Sequence, residues 1–442
     1  MDQKRGASVR IELTAVALLA TAWIALAGCD DDDTAGTGGQ GLATGGAGGA
    51  GGATGGTTST SSSGSTSGQG GGGKAPTDCG DGNEVDPEEC DDGNLLSHDG
   101  CSSGCTLEVP TWTELVPPTS PPIRADHAMA YDAARDRLVM FGGYHAGALA
   151  DTWEFGSDWT EMSPSTTPTA RYDHELVFDP SGPQAILFGG AAGGLNGLAE
   201  TWHYDGSDWT PGGAGPARYH HAMTVDTTRA TVVVFGGTHQ GTALGDTWEY
   251  AAQTWTQITP TASPPARLGA AMAYNPTTGR AVLFGGFDGN GSVAYDDTWE
   301  YDYANGTWSP NQTATTPPHR RFHHMAYDAA RNRVVMFGGY DGAANLTDTW
   351  EYVSGDWVET SPSPSPQGGP LAYDSLRRRV VMSEVTAGNP HAKTWVYQLG
   401  SDWPDELCTG GDDDGDGLTD CDDPDCEGFP CSGGTCSGGT CQ

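Results

Sequence analysis

The sequence predicts an all-β fold of six similar units flanked by small disulfide-rich modules. The prediction rests on an internal repeat over residues 110–404, on a content of 67 Gly, 28 Pro and 14 Trp, and on 11 cysteines that all lie outside residues 106–407. So many glycines and prolines, with only 36% hydrophobic residues in a chain of 442, argue against a helix bundle. A repeat of about 50 residues instead indicates an array of equivalent supersecondary units.

The repeat is marked by Phe-Gly-Gly, which recurs at spacings of 47, 47, 49 and 53 residues. Its phenylalanines are Phe141, Phe188, Phe235, Phe284 and Phe337. A Thr-Trp pair follows each of them, and a sixth pair ends the series; the tryptophans are Trp153, Trp202, Trp248, Trp299, Trp350 and Trp395. A second tryptophan comes a few residues later, at Trp159, Trp209, Trp255, Trp308, Trp357 and Trp403.

Each unit is predicted to form four short strands. The second strand, which ends in Phe-Gly-Gly, is continuously apolar, as expected for a strand covered on both faces. In the third, Trp153 and Phe155 alternate with Thr152 and Glu154, which predicts one buried and one polar face. The Gly pair permits the sharp turn between these two strands.

This pattern resembles the kelch repeat, and the resemblance covers about two-thirds of the chain. It implies a six-bladed kelch-type β-propeller, in which each unit is a four-stranded blade. The sixth unit departs from the pattern, because Ser383-Glu384-Val385 replaces Phe-Gly-Gly and Pro366 and Gly369 replace the Arg and His that precede the other first strands.

An additional tryptophan, Trp112, predicts how the ring closes. A propeller stays shut when one blade combines strands from both ends of the chain. Trp112 and Trp403 compete for the outer strand of the sixth blade, and Pro404 makes the C-terminal candidate poorer. We therefore expect the N-terminal segment to supply this strand.

Polar residues recur at fixed positions around the first strand of each unit. The histidines are His127, His174, His221 and His323, which could form a ring of metal ligands but are expected to belong to the hydrogen bonding of the blades. The arginines are Arg124, Arg171, Arg218, Arg267 and Arg320, which are expected to connect neighbouring blades. Asp132, Asp179, Asp226, Asp328 and Asp374 are expected to accept turn hydrogen bonds.

Ligand binding is expected in the loops after Gly-Gly, because these loops vary while the framework repeats. They span 144–150, 191–199, 238–245, 287–296 and 340–347. The candidate contact residues, all expected to be exposed, are Tyr144, His145, His239, Phe287, Tyr340 and Asp341.

No catalytic residues are assigned, and the sequence predicts a protein that is not an enzyme. Some kelch propellers, such as galactose oxidase, carry a copper centre with a Tyr–Cys cofactor, but residues 106–407 contain no Cys, so that cofactor cannot form here. The sialidase blade signature is matched only faintly, by Gly306-Thr307-Trp308, and no Gly-x-Ser-x-Gly, P-loop or zinc-helix motif occurs. A site assembled from several blades would leave no such motif.

The N-terminal residues predict export and lipid anchoring. Lys4, Arg5 and Arg10 precede an apolar run at 13–27, which is too short to span a membrane and reads as a signal peptide over 1–28. Leu26-Ala27-Gly28-Cys29 resembles the lipobox of bacterial lipoproteins, which implies acylation of Cys29. Residues 29–77 then form a Gly/Ser/Thr-rich flexible linker.

The cysteines flank the repeat on both sides and predict disulfides in an oxidising compartment. The module at 78–108 resembles a cysteine-rich repeat of myxobacterial surface proteins, which implies disulfides among its four cysteines. The spacings alone allow three pairings in this module and fifteen in the tail at 405–442. The cysteines concerned are Cys79, Cys90, Cys101 and Cys105, and Cys408, Cys421, Cys426, Cys431, Cys436 and Cys441.

The acidic tail contains a candidate calcium site. Its carboxylates stand at positions 1, 3, 5, 9 and 12 of an EF-hand-type loop with Gly417 at position 6, a spacing that suits a hard cation. The segment resembles the Asp-rich calcium repeats of thrombospondin type 3. The proposed ligands are Asp412, Asp414, Asp416, Leu418 through its carbonyl, Asp420 and Asp423.

The net charge of −38 argues against nucleic-acid binding, since no basic stripe is present. Together these features predict an exported, lipid-anchored protein of the bacterial envelope, facing the periplasm or the cell surface, whose propeller over 109–404 binds a protein or polysaccharide. The alternatives are a carbohydrate-active or oxidative enzyme on the same scaffold and a calcium-dependent adhesion protein. The sequence leaves the ligand and the membrane leaflet open.

Overall fold

The fold is a six-bladed β-propeller, which confirms the all-β prediction. The computed structural model describes residues 109–290, 293–384 and 389–399, and three short strands between 430 and 441. In the first three ranges, six antiparallel sheets of four strands surround a central channel, and the innermost strand of each sheet contacts those of both neighbours. We number the sheets as blades 1 to 6.

Each blade contributes one strand at each distance from the axis. The innermost strands are β2 (Ala128–Asp132), β6 (Glu175–Asp179), β10 (Ala222–Asp226), β16 (Ala271–Asn275), β20 (His324–Asp328) and β24 (Leu371–Asp374). The second strands are β3 (Arg137–Phe141), β7 (Gln184–Phe188), β11 (Thr231–Phe235), β17 (Arg280–Phe284), β21 (Arg333–Phe337) and β25 (Arg379–Glu384).

The third and fourth strands complete the blades. The third strands are β4 (Thr152–Phe155), β8 (Thr201–Tyr204), β14 (Thr247–Ala251), β18 (Thr298–Asp302), β22 (Thr349–Val353) and β26 (Lys393–Leu399). The outer strands are β5 (Trp159–Met162), β9 (Trp209–Pro211), β15 (Thr254–Ile258), β19 (Thr307–Asn311), β23 (Asp356–Glu359) and, for blade 6, β1 (Pro110–Leu115).

Two small sheets accompany the propeller. The loop after Gly-Gly in blade 3 forms a ribbon of β12 (Thr238–His239) and β13 (Thr242–Ala243). Near the C-terminus, β27 (Pro430–Cys431), β28 (Gly434–Ser437) and β29 (Thr440–Cys441) form a three-stranded sheet. No helix long and apolar enough to cross a membrane occurs in the part of the chain that the structure describes.

Blade 6 closes the ring with a strand from the N-terminal side, which confirms the expectation from Trp112. β1 pairs antiparallel with β26, so that Pro110 lies opposite Leu399 and Leu115 opposite Thr394. The indole of Trp112 packs against Phe337 and Tyr397, with ring centroids 5.2 and 5.0 Å away. Its burial, with 1% of its surface exposed, makes β1 part of the core.

The hydrophobic core lies between the blades. One cluster, for example, joins Val139 and Phe141 of blade 1 to Leu187, Tyr204 and Trp209 of blade 2. Because neighbouring blades cover both faces of a sheet, the predicted alternation in β4 is wrong. All four of its residues, 152–155, are buried.

The polar residues of the third strands also face neighbouring blades, where they accept hydrogen bonds. Trp209 Nε1 donates to Thr152 Oγ1 at 2.9 Å, from blade 2 to blade 1. The same bond recurs around the ring at 2.8–3.0 Å, in the pairs Trp255–Thr201, Trp308–Thr247, Trp357–Thr298, Trp112–Thr349 and Trp159–Thr394. The outer-strand tryptophans therefore connect every pair of adjacent blades.

Blade 6 compensates locally for its missing Phe-Gly-Gly. Glu384 stands at the position of the first Gly and is buried. Its carboxylate accepts hydrogen bonds from Trp395 Nε1 and from the backbone N–H of Gln367. In the other blades a carboxylate just before Thr-Trp accepts the tryptophan bond, as Asp151 does from Trp153 at 2.8 Å.

Several predicted features lie outside the described residues. They are the signal peptide, Cys29, the linker, the module containing Cys79, Cys90, Cys101 and Cys105, and the tail residues Cys408, Asp412, Asp414, Asp416, Leu418, Asp420, Cys421, Asp423 and Cys426. Of Cys431, Cys436 and Cys441 the structure describes the strand backbone alone. The lipidation, disulfide and calcium assignments stay predictions.

Candidate binding site at the central channel

The repeat arginines fix the loops that surround the channel mouth. In blade 1 the guanidinium of Arg124 donates two hydrogen bonds to the Asp151 carboxylate, at 2.6 and 2.7 Å, and one to the Gly142 carbonyl at 3.1 Å. The same arrangement recurs in the pairs Arg218–Asp246, Arg267–Asp297 and Arg320–Asp348, and Glu200 takes the place of Asp with Arg171. These contacts lie within one blade, so the expectation that the side chains connect neighbouring blades is wrong.

The connection between blades at this position comes from the backbone. Gly143 N–H of blade 1 donates to the Arg171 carbonyl of blade 2 at 2.9 Å, and Arg171 N–H donates to Leu149 O, also at 2.9 Å. Gly143 has a φ of +101°, and an added Cβ there would lie 2.7 Å from the Ala125 carbonyl. Glycine is therefore required where the loop passes so close to its neighbours.

The repeat aspartates act as predicted. Asp132 Oδ1 accepts a hydrogen bond from Ala134 N at 3.0 Å, and Asp226 Oδ1 accepts one from Thr228 N at 2.9 Å. These bonds stabilise the turns between the first and second strands, at the end of the channel opposite the Gly-Gly loops.

A channel with a volume of about 1240 Å³ runs along the axis. At the mouth nearest the Gly-Gly loops, the second residue after each repeat arginine adopts a left-handed conformation, as at Asp126, Asp173, His220 and Phe322, with φ between 53° and 58°. The peptides of this ring are hydrogen bonded around the axis, for example Asp173 N to Asp126 O at 3.0 Å and His220 N to Asp173 O at 3.1 Å. Left-handed backbone is uncommon for bulky residues such as Phe322, and it marks this ring as a place to look for function.

Acidic residues occupy the mouth on the side of blades 1 and 2. Asp126, Asp173 and Glu175 all line the channel, and His220 Nε2 lies 3.0 Å from Asp173 Oδ2. Burial raises the pKa of Asp126 to about 6 and the pKa of Glu175 to about 8. Burial, with the charges of Asp126 and Glu175 nearby, also raises the pKa of Asp173 well above its ordinary value.

Aromatic side chains surround the same mouth, and we call them the aromatic rim: Tyr144, Tyr172, Tyr219, Phe322 and Tyr340. The rings of Tyr144 and Tyr172 meet edge to face at 5.2 Å, and Phe322 is 38% exposed. The guanidinium of Arg321 lies over Phe287 at 4.2 Å and over Tyr340 at 5.2 Å. Burial lowers the pKa of Arg321.

The loop residues expected to bind ligand divide into two groups. Tyr144, Phe287 and Tyr340 line the channel mouth, although Phe287 is buried beneath Arg321 with 3% exposed, so its expected exposure is wrong. His145 is exposed, whereas His239 and Asp341 are half-buried, and these three do not line the channel. His239 Nδ1 accepts a bond from Gly197 N at 3.3 Å, and Asp341 Oδ1 accepts from Ala343 N and Ala344 N at 2.7 Å.

The four repeat histidines are buried along the channel wall. Their ring nitrogens make no hydrogen bond of ordinary geometry among the described residues, although backbone groups of Arg124, Phe141 and Phe284 lie close to His127, His174 and His323; the expected role in blade hydrogen bonding stays a prediction. Three of them pack against a phenylalanine of the preceding blade, as His174 does against Phe141 at 5.6 Å, and the blade that precedes His127 has Ser383 at that position. No three His, Cys, Asp or Glu side chains come close enough to hold a metal ion in the described ranges.

Several residues at the mouth were not predicted from the sequence. Asp126, Asp173, Glu175, Arg321 and the aromatic residues at 172, 219 and 322 all lie within four residues after a repeat arginine. These are the positions of the first-strand segment that differ from blade to blade. Their variation from blade to blade, next to the repeated arginines and histidines, is the signal that could have identified these residues.

The comparison with protein families agrees with this architecture. The KLHDC2/KLHL20/DRC7 Kelch-repeats domain matches residues 210–366 and, in a second overlapping match, residues 250–398. The fold is a kelch-type β-propeller. The matched part of the kelch domain runs from the outer strand of blade 2 to the third strand of blade 6, and the structure extends the same arrangement to blades 1 and 2.

Kelch propellers generally mediate protein interactions, which supports a protein-binding scaffold for this one. Comparison with curated protein sequences found no match.

Proposed function

We propose that this protein is a lipid-anchored component of the bacterial envelope whose kelch domain binds a protein through the channel mouth, without catalysis. The observation that carries the proposal is the aromatic rim. Five aromatic side chains surround one opening, and the Arg–carboxylate contacts beneath the Gly-Gly loops hold that opening in place. Aromatic residues and arginine are enriched among the residues that contribute most to protein–protein binding.

The rim can be tested with a matched pair of variants at the two ends of the channel. Replacing Tyr172 and Tyr219 with Ala is expected to reduce affinity capture of a partner from envelope and secreted fractions at least tenfold, because the variant removes aromatic contact area from the rim. The control replaces Phe178 and Tyr327, which line the opposite end of the channel.

Full-length protein is used as bait in both arms, and retained proteins are measured by quantitative mass spectrometry. A partner retained equally by the rim variant and the wild type would contradict binding at this mouth. A partner lost from both variants would indicate damage to the fold, which thermal unfolding of each bait would reveal. If the wild type retains no partner, the binding proposal is rejected.

The membrane anchor is proposed from the sequence around Cys29. Cys29→Ser is expected to move the protein from the membrane pellet to the soluble fraction, because two or more acyl chains are needed for stable anchoring. Fractionation followed by immunoblotting measures the distribution, and palmitate labelling of the wild type provides the chemical readout. A variant that stays in the membrane fraction would contradict a lipid anchor at this residue.

A carbohydrate-active enzyme is a second candidate, and the observation that favours it is the group of channel carboxylates. Raised pKa values are typical of groups that act as general acids. Turnover of any member of a panel of glycosides, abolished by Glu175→Gln, would replace binding with catalysis. The calcium site of the tail, which would make adhesion depend on calcium, stays a prediction.

A further inference from the structure

The acidic side of the channel mouth lacks counter-charges. Asp126 and Glu175 line the channel beside Asp173, and no donor or cation among the described residues offsets the burial that raises their pKa values. Desolvating a carboxylate without compensation is costly, so such a group favours an incoming positive charge. Asp173, which His220 contacts, lies between them in the chain and adds a third carboxyl group.

A buried imidazole on the same wall provides a second, independent observation. His221 lines the channel, has 1% of its surface exposed, and has no hydrogen-bond partner at either ring nitrogen among the described residues. Burial and the neighbouring Arg218 hold the pKa of His221 well below its ordinary value, so its ring is neutral and keeps an acceptor nitrogen. The wall therefore offers an unused acceptor, which suits a ligand that carries several donors.

Tyrosine rings border these acceptors. Tyr144, Tyr172 and Tyr219 belong to the aromatic rim of blades 1 to 3, the blades that carry the carboxylates and His220. Aromatic faces attract organic cations, whereas metal ions require a tighter set of oxygen or nitrogen ligands. A group of three such ligands is not found within the described ranges.

We propose that Asp126, Glu175 and the adjoining tyrosines bind a protonated amine, and that the occupant is a lysine side chain of the partner protein. This inference rests on the proposed function, because it names the ligand chemistry of the same mouth. A lysine ammonium has three donors on a long apolar stem, which matches carboxylates at the mouth and a wall rich in alanine, such as Ala128, Ala222 and Ala271. The net charge of −38 would also attract a basic partner.

The other ionisable groups at the mouth do not supply the missing charge. Burial lowers the pKa of His220 to about 3 and of His324 to about 4, and it lowers the pKa values of His127 and His221 well below the ordinary value. Burial raises the pKa of Tyr172 to about 12 and also raises that of Tyr219. Arg124, Arg171 and Arg218 are engaged by carboxylates of their own blades, and Arg321 belongs to blade 5.

The first test uses pentylammonium, which reproduces the end of a lysine side chain, and full-length protein. Saturation-transfer NMR at constant ionic strength is expected to detect binding to the wild type, and Asp126→Asn combined with Glu175→Gln is expected to weaken it at least tenfold. The control is Glu161→Gln, which removes an exposed carboxylate on the outer strand β5, outside the channel, and is expected to leave affinity unchanged. Absence of binding, or equal affinity in all three proteins, would overturn the inference.

The pH dependence of amine binding provides a further test, because a purely structural role of these carboxyl groups would not produce it. Binding is expected to strengthen between pH 5 and pH 9, as the carboxyl groups of Asp126 and then Glu175 ionise while the amine stays protonated. An affinity that stays constant over this range would count against the inference.

A second test separates the inference from the proposed function. Lysine-containing peptides from a captured partner are compared with the same peptides acetylated at lysine, and acetylation is expected to reduce affinity at least tenfold. If a partner is lost from the rim variant but bound normally by the Asp126/Glu175 variant, the mouth binds protein and the lysine assignment is wrong. Tighter binding of chitosan oligomers than of any lysine peptide would likewise overturn the protein occupant.

Discussion

Replacing Trp112 with Ala is expected to lower the free energy of unfolding by about 3–5 kcal/mol, the usual range for removing a buried Trp. The indole fills the space between blades 5 and 6, where it meets Phe337 and Tyr397, and its Nε1 donates to Thr349 Oγ1 at 3.0 Å. The variant therefore leaves a cavity and removes one of the six Trp–Thr bonds. Because β1 also closes the ring, the loss falls on the contact that joins the two ends of the propeller.

Urea denaturation of the full chain, followed by tryptophan fluorescence and circular dichroism, measures this effect. The control is Val116→Ala, one residue beyond β1, where 87% of the side chain is exposed and the expected change is within about 0.5 kcal/mol. Trp112→Phe keeps much of the apolar volume and should cost less than Trp112→Ala. A loss below about 1 kcal/mol for Trp112→Ala would mean that β1 contributes little to closure.

Replacing Arg331 with Met is expected to cost about 3–5 kcal/mol at neutral pH, because it leaves buried carboxylates without their cation. Arg331 bridges Asp328 at 2.7 Å and Glu351 at 2.5 Å, and Glu351 also accepts bonds from Arg333 and Tyr397. Arg331, Asp328 and Glu351 are all almost fully buried. The network connects the turn that follows β20 with strand β22. Through Tyr397 it also reaches blade 6.

The cost should depend on pH in a defined direction. Burial acts to raise the pKa of Glu351, but Arg331 and Arg333 outweigh it and hold that pKa below its usual value. Without Arg331, burial has more influence and the pKa rises, so the folded variant binds protons that the unfolded chain releases. Its stability relative to the wild type should therefore fall as the pH rises from about 4 to 8.

Unfolding measured at pH 4.5 and pH 8 tests this sign. Adding Glu351→Gln to the Arg331→Met variant should recover part of the loss at pH 8, since the remaining side chain is uncharged. A cost that is the same at both pH values, or no recovery from the second substitution, would show that lost packing rather than unpaired charge causes the effect.

The framework was predictable because its repeated residues make the same contacts in most blades. Trp209 donates to Thr152, and Trp255 donates to Thr201 in the same way. The recurrence of Trp and Thr in the sequence is therefore enough to identify each blade. The ring closure was predictable because Trp112 is an additional copy of the outer-strand tryptophan and Pro404 disfavours the C-terminal candidate; the structure adds that Trp112 donates to Thr349 as its counterparts do to their threonines.

The candidate site was less accessible, because its residues do not repeat. Asp126, Glu175 and Arg321 stand on three different blades, and only closure of the ring brings them to one channel. The blade that each repeat arginine contacts was also not evident from the sequence. Arg124 contacts its own blade through the guanidinium, while the carbonyl of Arg171 contacts the preceding blade, and sequence spacing does not separate side-chain from backbone roles.

The pairing of β1 with β26 also determines on which face of the propeller Pro110 and Leu399 lie. β26 begins beside the Gly-Gly loops and runs away from the channel mouth, so Leu399 and its partner Pro110 both lie at the far end of blade 6. The chain therefore enters and leaves the propeller through its rear face. An attachment upstream of Pro110 would therefore join the propeller on the face opposite the aromatic rim.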